Sequence, residues 1–344
     1  MTGQIIDSKY VTVVLQGPTC RGDGQPENDL GLRAIQSIRQ FLPEAEIIVS
    51  TWQKDSVEGF GDCFVVRSND PGSMPDINGF ANNINRQLLS TQAGVQLASR
   101  PYVLKMRADH ALTSNKITSI QEYEPGLGVE YRLFNKPVTM SNLYIRKATK
   151  YPFLFHMSDL VQFGTKEDLL LIWGDELFRK EDVFLPEGKN NPLWGNYSGP
   201  TNLMHVPEQS LTIRLLNKKG FNIKLPYLSY INYDYVLLWE KILVINFNVL
   251  NWENSGVIFP SRFTNVFYAL STIYTEEDLA NIRKKVVCGI YSPSYLYIWY
   301  NKYIAYSLSI NGFVPLMASL LFKISPRLQA FVRVIWKKLM STNR

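Results

Sequence analysis

The stretch of residues 82–110, NNINRQLLSTQAGVQLASRPYVLKMRADH, constrains the fold more than any other. From 82 to 98, Ile84, Leu88, Leu89, Val95 and Leu97 recur at helical spacing with polar residues between them, and Gly94 is the one weak point. Arg100-Pro101 stops that helix, because proline offers no N–H and pushes the residue before it towards extended geometry. Tyr102, Val103 and Leu104 form a run too short for a helix and suited to a strand covered on both faces. Just past it stand Lys105, Arg107, Asp109 and His110, at the carboxyl end of the strand, where open α/β sheets present ligand-binding groups.

The residues before this stretch follow the same alternation. Residues 10–15, YVTVVL, read as a central parallel strand. It is closed by Gln16, Gly17, Pro18 and Thr19, a tight turn that brings backbone close to a ligand, commonly the nucleotide part of one. A polar loop over 20–29 leads to a helix over 30–42, whose Leu32, Ile35, Ile38 and Phe41 share a face. Residues 46–50, EIIVS, form the second strand, with Thr51 and Trp52 at its end, and 62–67 the third. Strands and helices in this order predict a parallel α/β sheet with right-handed crossovers. A chain of 344 residues buries a sizeable core in one large or two modest domains, and 46% hydrophobic with 19% charged residues excludes long-range disorder. Cys20, Cys63 and Cys288 are too scattered for a metal-ligand pattern and read as three unpaired thiols in a reducing compartment. No basic start with an apolar run opens the chain, so the expected location is cytoplasmic.

The net charge of +6 matters for its placement. Lys323, Arg327, Arg333, Lys337, Lys338 and Arg344 lie with almost no acid among Phe313, Leu316, Leu320, Leu321, Leu328, Phe331 and Trp336. That mixture suits a helix lying on an anionic membrane surface, and the uncharged run 310–322 is shorter than the roughly 20 residues a span requires. With no nucleic-acid motif beside the charge, nucleic acid is not an expected partner.

The middle of the chain is coarser. A helix is expected over 116–123, strands within 126–140, a helix over 169–178 and a mobile loop over 180–199, where Trp194 and Tyr197 either stack on a ligand or anchor the loop. Between two strand-like runs in 152–164 lies Asp159, either a turn former or a carboxylate that accepts from a ligand hydroxyl and acts as a base. Pro207 and Glu208 open a helix over 210–217, where the macrodipole alone accounts for an acid. The aromatic run beyond Phe221 reads as core, followed by a helix over 276–285.

The segments VVLQGPT, EIIVSTW, SNDPG, NNINRQLLSTQAG, YVLKMRAD, HMSDLVQFG and PEQSL, in order between Val13 and Leu211, resemble the WavE family of lipopolysaccharide-synthesis proteins. The first 115 or so residues look like the nucleotide-binding half of a GT-A glycosyltransferase. The resemblance implies an α/β fold: a GT-A-like, Rossmann-type, mostly parallel sheet with flanking helices and a C-terminal helical, membrane-associating extension. It divides into a nucleotide-sugar half (1–115), an acceptor-binding and catalytic half (116–235) and an aromatic region with a basic tail (236–344). It further implies transfer from a nucleotide sugar to a lipid-linked oligosaccharide at the inner face of the bacterial inner membrane. The nucleotide would lie against Gln16, Gly17, Pro18, Thr19, Thr51, Asn83 and Arg86, with Lys105, Arg107 and His110 at its phosphate. Glu208 is the preferred base and Asp159 the other candidate. Where that fold usually carries Asp-x-Asp, this chain has Arg107, Ala108 and Asp109. Two readings stay open: Asp109 holds a divalent metal (Mn or Mg), or Lys105, Arg107 and His110 supply the charge without one. The second keeps a CMP-linked sialyl donor open, and loss of the metal pattern also admits a non-catalytic saccharide-binding or scaffold protein.

Overall fold

A computed structural model describes residues 3–20, 29–77, 79, 81–199, 201–265, 270–325, 328 and 332. Its centre is a seven-stranded sheet: β1 (Val11–Gln16), β2 (Glu46–Trp52), β3 (Phe64–Ser68), β4 (Tyr102–Arg107), β5 (Val138–Ser141), β6 (Val161–Thr165) and β7 (Phe247–Leu250). The order across the sheet is β7-β5-β6-β4-β1-β2-β3. All neighbours are parallel except at β6, which runs antiparallel to both β5 and β4. The chain is thus a mixed α/β protein with a mostly parallel sheet. Its strands come from both sides of residues 115 and 235.

Alternation along the strands sorts two cores. Val14 and Ile48 face one side, where helix α2 (Ile84–Leu97) packs; Val13, Leu15, Ile47 and Val49 face the other, with helix α1 (Leu30–Phe41). All six residues of β1 are buried, as a central parallel strand requires. Gly94 has a packing role: a Cβ there would lie 2.4 Å from Val14 Cγ1, so its absence lets α2 sit close on the sheet. Leu97, expected on the buried face of α2, is 57% exposed.

Further helices follow as α3 (Lys166–Trp173), α4 (Pro207–Lys218), α5 (Tyr233–Asn246), α6 (Glu276–Val287), α7 (Tyr295–Tyr300) and α8 (Ile310–Ile324). Several expectations are corrected. Residues 116–123 are not a helix: a 3-10 turn, Lys116–Thr118, gives way to Ser119–Ile120, which pairs with Gln4–Ile5. In 126–140 only β5 is a strand, and in 152–164 only β6 begins, so His156 to Asp159 lie in irregular chain. The segment 180–199 includes a short helix, Lys180–Val183, and Tyr197 anchors it by stacking on Tyr306 at 3.8 Å. Among the described residues no helix is long and apolar enough to cross a membrane. Most of the basic tail (Arg327, Arg333, Lys337, Lys338, Arg344) lies outside the described residues, as does the polar loop 21–28.

Candidate active site

Strand β1 is flanked by β4 on one side and β2 on the other, and the chain leaves it towards β2, so the carboxyl ends of β1 and β4 mark the topological switch point. A cavity of about 370 Å³ opens there. Gln16, Gly17 and Pro18 line it from the end of β1, Asn83 and Arg86 from the start of α2, and Arg107 and Asp109 from the end of β4. Gly17 turns the chain at φ +94°, in the left-handed region that glycine alone enters freely, and its N–H donates to the Ser50 carbonyl at 3.0 Å. The Ser90 hydroxyl donates to Gln16 Oε1 at 2.9 Å, so α2 also fixes that side chain.

Seven of the eleven sequence-nominated ligand residues therefore meet in one cavity, and four stand elsewhere. Thr51 is fully buried and donates to the Asp55 carboxylate at 2.5 Å, and the Thr19 N–H donates to the same carboxylate at 3.4 Å. Lys105 has no exposed surface; its ammonium donates to the Asp159 carbonyl and lies 4.6 Å from the Trp173 ring centre. Burial brings Lys105 down to about 8, against the opposing pull of Asp159. His110 lies behind Asp109, facing a neighbouring cavity.

Asp109 is the electrostatic hub. Oδ1 accepts from Arg107 Nε at 3.0 Å and from His110 Nδ1 at 2.8 Å; Oδ2 accepts from Arg107 Nη2 at 3.2 Å and from Arg262. Burial alone would raise its pKa, but the bonds from His110 and Arg107 prevail and hold the carboxyl far below the usual range. Arg262 had no sequence signal: it reaches Asp109 from 153 residues further along the chain. Sequence reasoning also missed Cys20, which lines the cavity as a free thiol that burial pushes up to about 11, away from nucleophilic chemistry.

These residues do not fit a divalent metal, which needs carboxylate oxygens with lone pairs to spare. Both Asp109 oxygens are taken by cationic donors. Asp70 is chelated by Arg86 at 2.7 and 2.6 Å, and Asp55 serves the Thr51 hydroxyl. Among the described residues no cluster of three or more potential ligands occurs. The guanidiniums of Arg86 and Arg107 stand at the wall instead, groups of the kind that pairs with phosphate directly.

Beside the end of β4 lies the second group of nominated residues. Strand β6 starts with Val161 opposite Met106, which brings Asp159, two residues upstream, against the strand's last turn. Glu208 is the second residue of α4, and Gln209 locks that helix start by donating to the Leu154 and Leu228 carbonyls at 2.9 Å each. Burial, and then the neighbouring Asp159 carboxylate, raises Glu208 well above the ordinary carboxylate range; Arg146 and Lys105 oppose the shift. His156 Nε2 stands 3.8 Å from Glu208, and burial lowers that imidazole to about 3, so it faces Glu208 as a neutral ring. Tyr144 and Phe155, both near this group, adopt positive φ (68° and 57°), strain of the kind that gathers at working sites.

A polar cavity at the switch point of a mostly parallel sheet, with the Asp159 and Glu208 carboxyls beside it, defines the candidate ligand site of an α/β protein. The chain belongs to the WavE lipopolysaccharide synthesis family, whose model matches residues 11–325. No curated protein matches it. Among solved structures it is similar to a Drosophila β1,4-galactosyltransferase 7 mutant in complex with manganese, UDP-Gal and xylobiose, at 11% identity over 66% of this chain and 73% of that one, with a TM-score of 0.27. The catalytic domain of the same enzyme with xylobiose gives 12% identity, the same coverage and a TM-score of 0.26. Scores that low do not define a shared fold.

Proposed function

We propose that the chain is a GT-A-like glycosyltransferase of lipopolysaccharide assembly, passing a sugar from a nucleotide-activated donor to a lipid-linked saccharide. The observation that carries this reading is the adjacency of two unlike centres at the end of β4: the cavity with Arg107 and Asp109, and the carboxyl pair of buried Asp159 and half-buried Glu208. The nucleotide lies against Gln16 to Pro18 and Asn83, and its phosphate meets Arg86 and Arg107. The acceptor hydroxyl attacks the anomeric carbon as the bond to the phosphate oxygen breaks. Its proton passes to Glu208, whose raised pKa matches a base working near neutrality, and the phosphate leaves with the bonding pair, stabilised by the guanidiniums. Asp159 holds Glu208 high and orients the acceptor.

The donor set at Asp109 favours a reaction that needs no divalent metal, and a leaving group with a single phosphate asks least of the two guanidiniums. A CMP-linked acidic sugar is therefore the second reading. A peripheral place at the inner face of the inner membrane is supported by α8, whose Ile310, Phe313, Val314, Leu321 and Ile324 are all at least half exposed, and by the basic residues that follow. The direct test is Glu208→Gln, which should abolish transfer with donor binding intact; near-normal turnover would remove Glu208 from the role.

A further inference from the structure

A second cavity of about 340 Å³ adjoins the first, with Asp109 in the wall of both. Arg33 of α1, Arg262, Phe259 and His110 are part of its lining. Three observations select its ligand. Arg33 is exposed and its guanidinium has no partner among the described residues. Arg262 shares Asp109 with Arg107, so among the described residues the positive charge here exceeds the negative. His110 is 1% exposed, and because a carboxylate oxygen only accepts, its proton sits on Nδ1, bonded to Asp109. Nε2 is left as a buried acceptor with no partner among the described residues. An acceptor so placed is costly until something donates to it. Phe259, with its ring 5.0 Å from that of His110, adds an apolar wall.

We propose that this cavity holds an acidic sugar residue: its carboxylate or phosphate between Arg33 and Arg262, and a neighbouring ring hydroxyl donating to His110 Nε2. A bare anion without O–H leaves His110 unsatisfied, and a neutral sugar leaves Arg33 unmatched. The acidic residue arrives either on the donor, spanning both cavities past Asp109, or on the acceptor. The choice of a saccharide rests on the glycosyl-transfer reading; the anionic character rests on the cavity alone.

Titration calorimetry on the full chain tests this with two pairs of probes: methyl glucuronide against methyl glucoside, and UDP-glucuronic acid against UDP-glucose. A preference of about tenfold or more for the acidic partner, the worth of one charge-assisted hydrogen bond, is expected in at least one pair. Preference in the free glycosides assigns the cavity to the acceptor; preference only in the nucleotide-linked pair assigns it to the donor. Arg33→Ala should erase the preference, and Arg33→Glu should reverse it. Arg33 is a surface residue outside the first cavity, so both variants should keep the fold and the affinity for the bare nucleotide. Equal affinity for acidic and neutral partners in both pairs, or a preference that survives Arg33→Glu, overturns the proposal. A chain that prefers methyl glucuronide but binds no nucleotide would overturn the transfer reading and leave this one standing.

Discussion

Glu208 and Asp109 are carboxyl groups shifted in opposite directions, and each makes a prediction. The folded chain holds the Glu208 proton above the unfolded pKa of about 4.3, so stability falls as pH rises between the unfolded and folded values. Glu208→Gln removes that penalty: the variant should melt above the parent at neutral and alkaline pH, with the gap closing as pH falls towards about 4. The same shift places the ascending limb of the transfer rate in the neutral range, well above a free carboxylate, in a pH profile of kcat/KM. Asp109 is the converse. Its contribution is present above the unfolded pKa of about 3.9 and is lost as pH falls below it towards the depressed folded value. Asp109→Asn should cost about 2–3 kcal/mol in urea unfolding at neutral pH, because it leaves Arg107 without its partner, and much less in strong acid. Arg107 and Asp109 were visible in the sequence as neighbours past a strand. That Arg262 joins them was not, since no local pattern links residues so far apart.

Among the elements, α2 and β4 were the most legible, because a long periodic helix, a proline stop and a short apolar run admit one reading. Gly94 looked like a weakness in that helix and is a contact instead. Gly94→Ala would drive a methyl group into Val14 and should destabilise the fold by about 1–3 kcal/mol, although alanine is the better helix former; a stability equal to the parent's would show that α2 can move off the sheet. The failures have physical causes as well. Ile117 and Ile120 are spaced as on a helix, but the pairing of Ser119–Ile120 with Gln4–Ile5 decides that segment, and such a pairing leaves no local trace. The start of α4 was readable from Pro207 and Glu208. What the first turn faces was not, because Asp159 and His156 approach it through irregular chain.

For the whole molecule, the sheet gathers strands from 11 to 250 around one switch point, and the candidate site sits where β1 and β4 end. The sequence carried that far because strand ends can be counted along the chain. The shape of the cavity depends on which side chains turn inward, and there Thr51, Lys105 and His110 departed from expectation by burial. The exposed apolar surface of α8 and the basic residues after it predict that vesicles with anionic lipid will sediment the chain and neutral vesicles will not; equal sedimentation with both would remove the electrostatic part of that reading. The central claim is that the cavity at the switch point binds a nucleotide with guanidiniums in the place of a metal. Thermal shift of the purified chain with UDP, GDP, dTDP and CMP, each with and without manganese, tests it most directly, since a ligand of the folded state alone must raise Tm. One nucleotide should raise Tm to the same extent in both conditions. A shift that requires manganese, or no shift with any nucleotide, would contradict it.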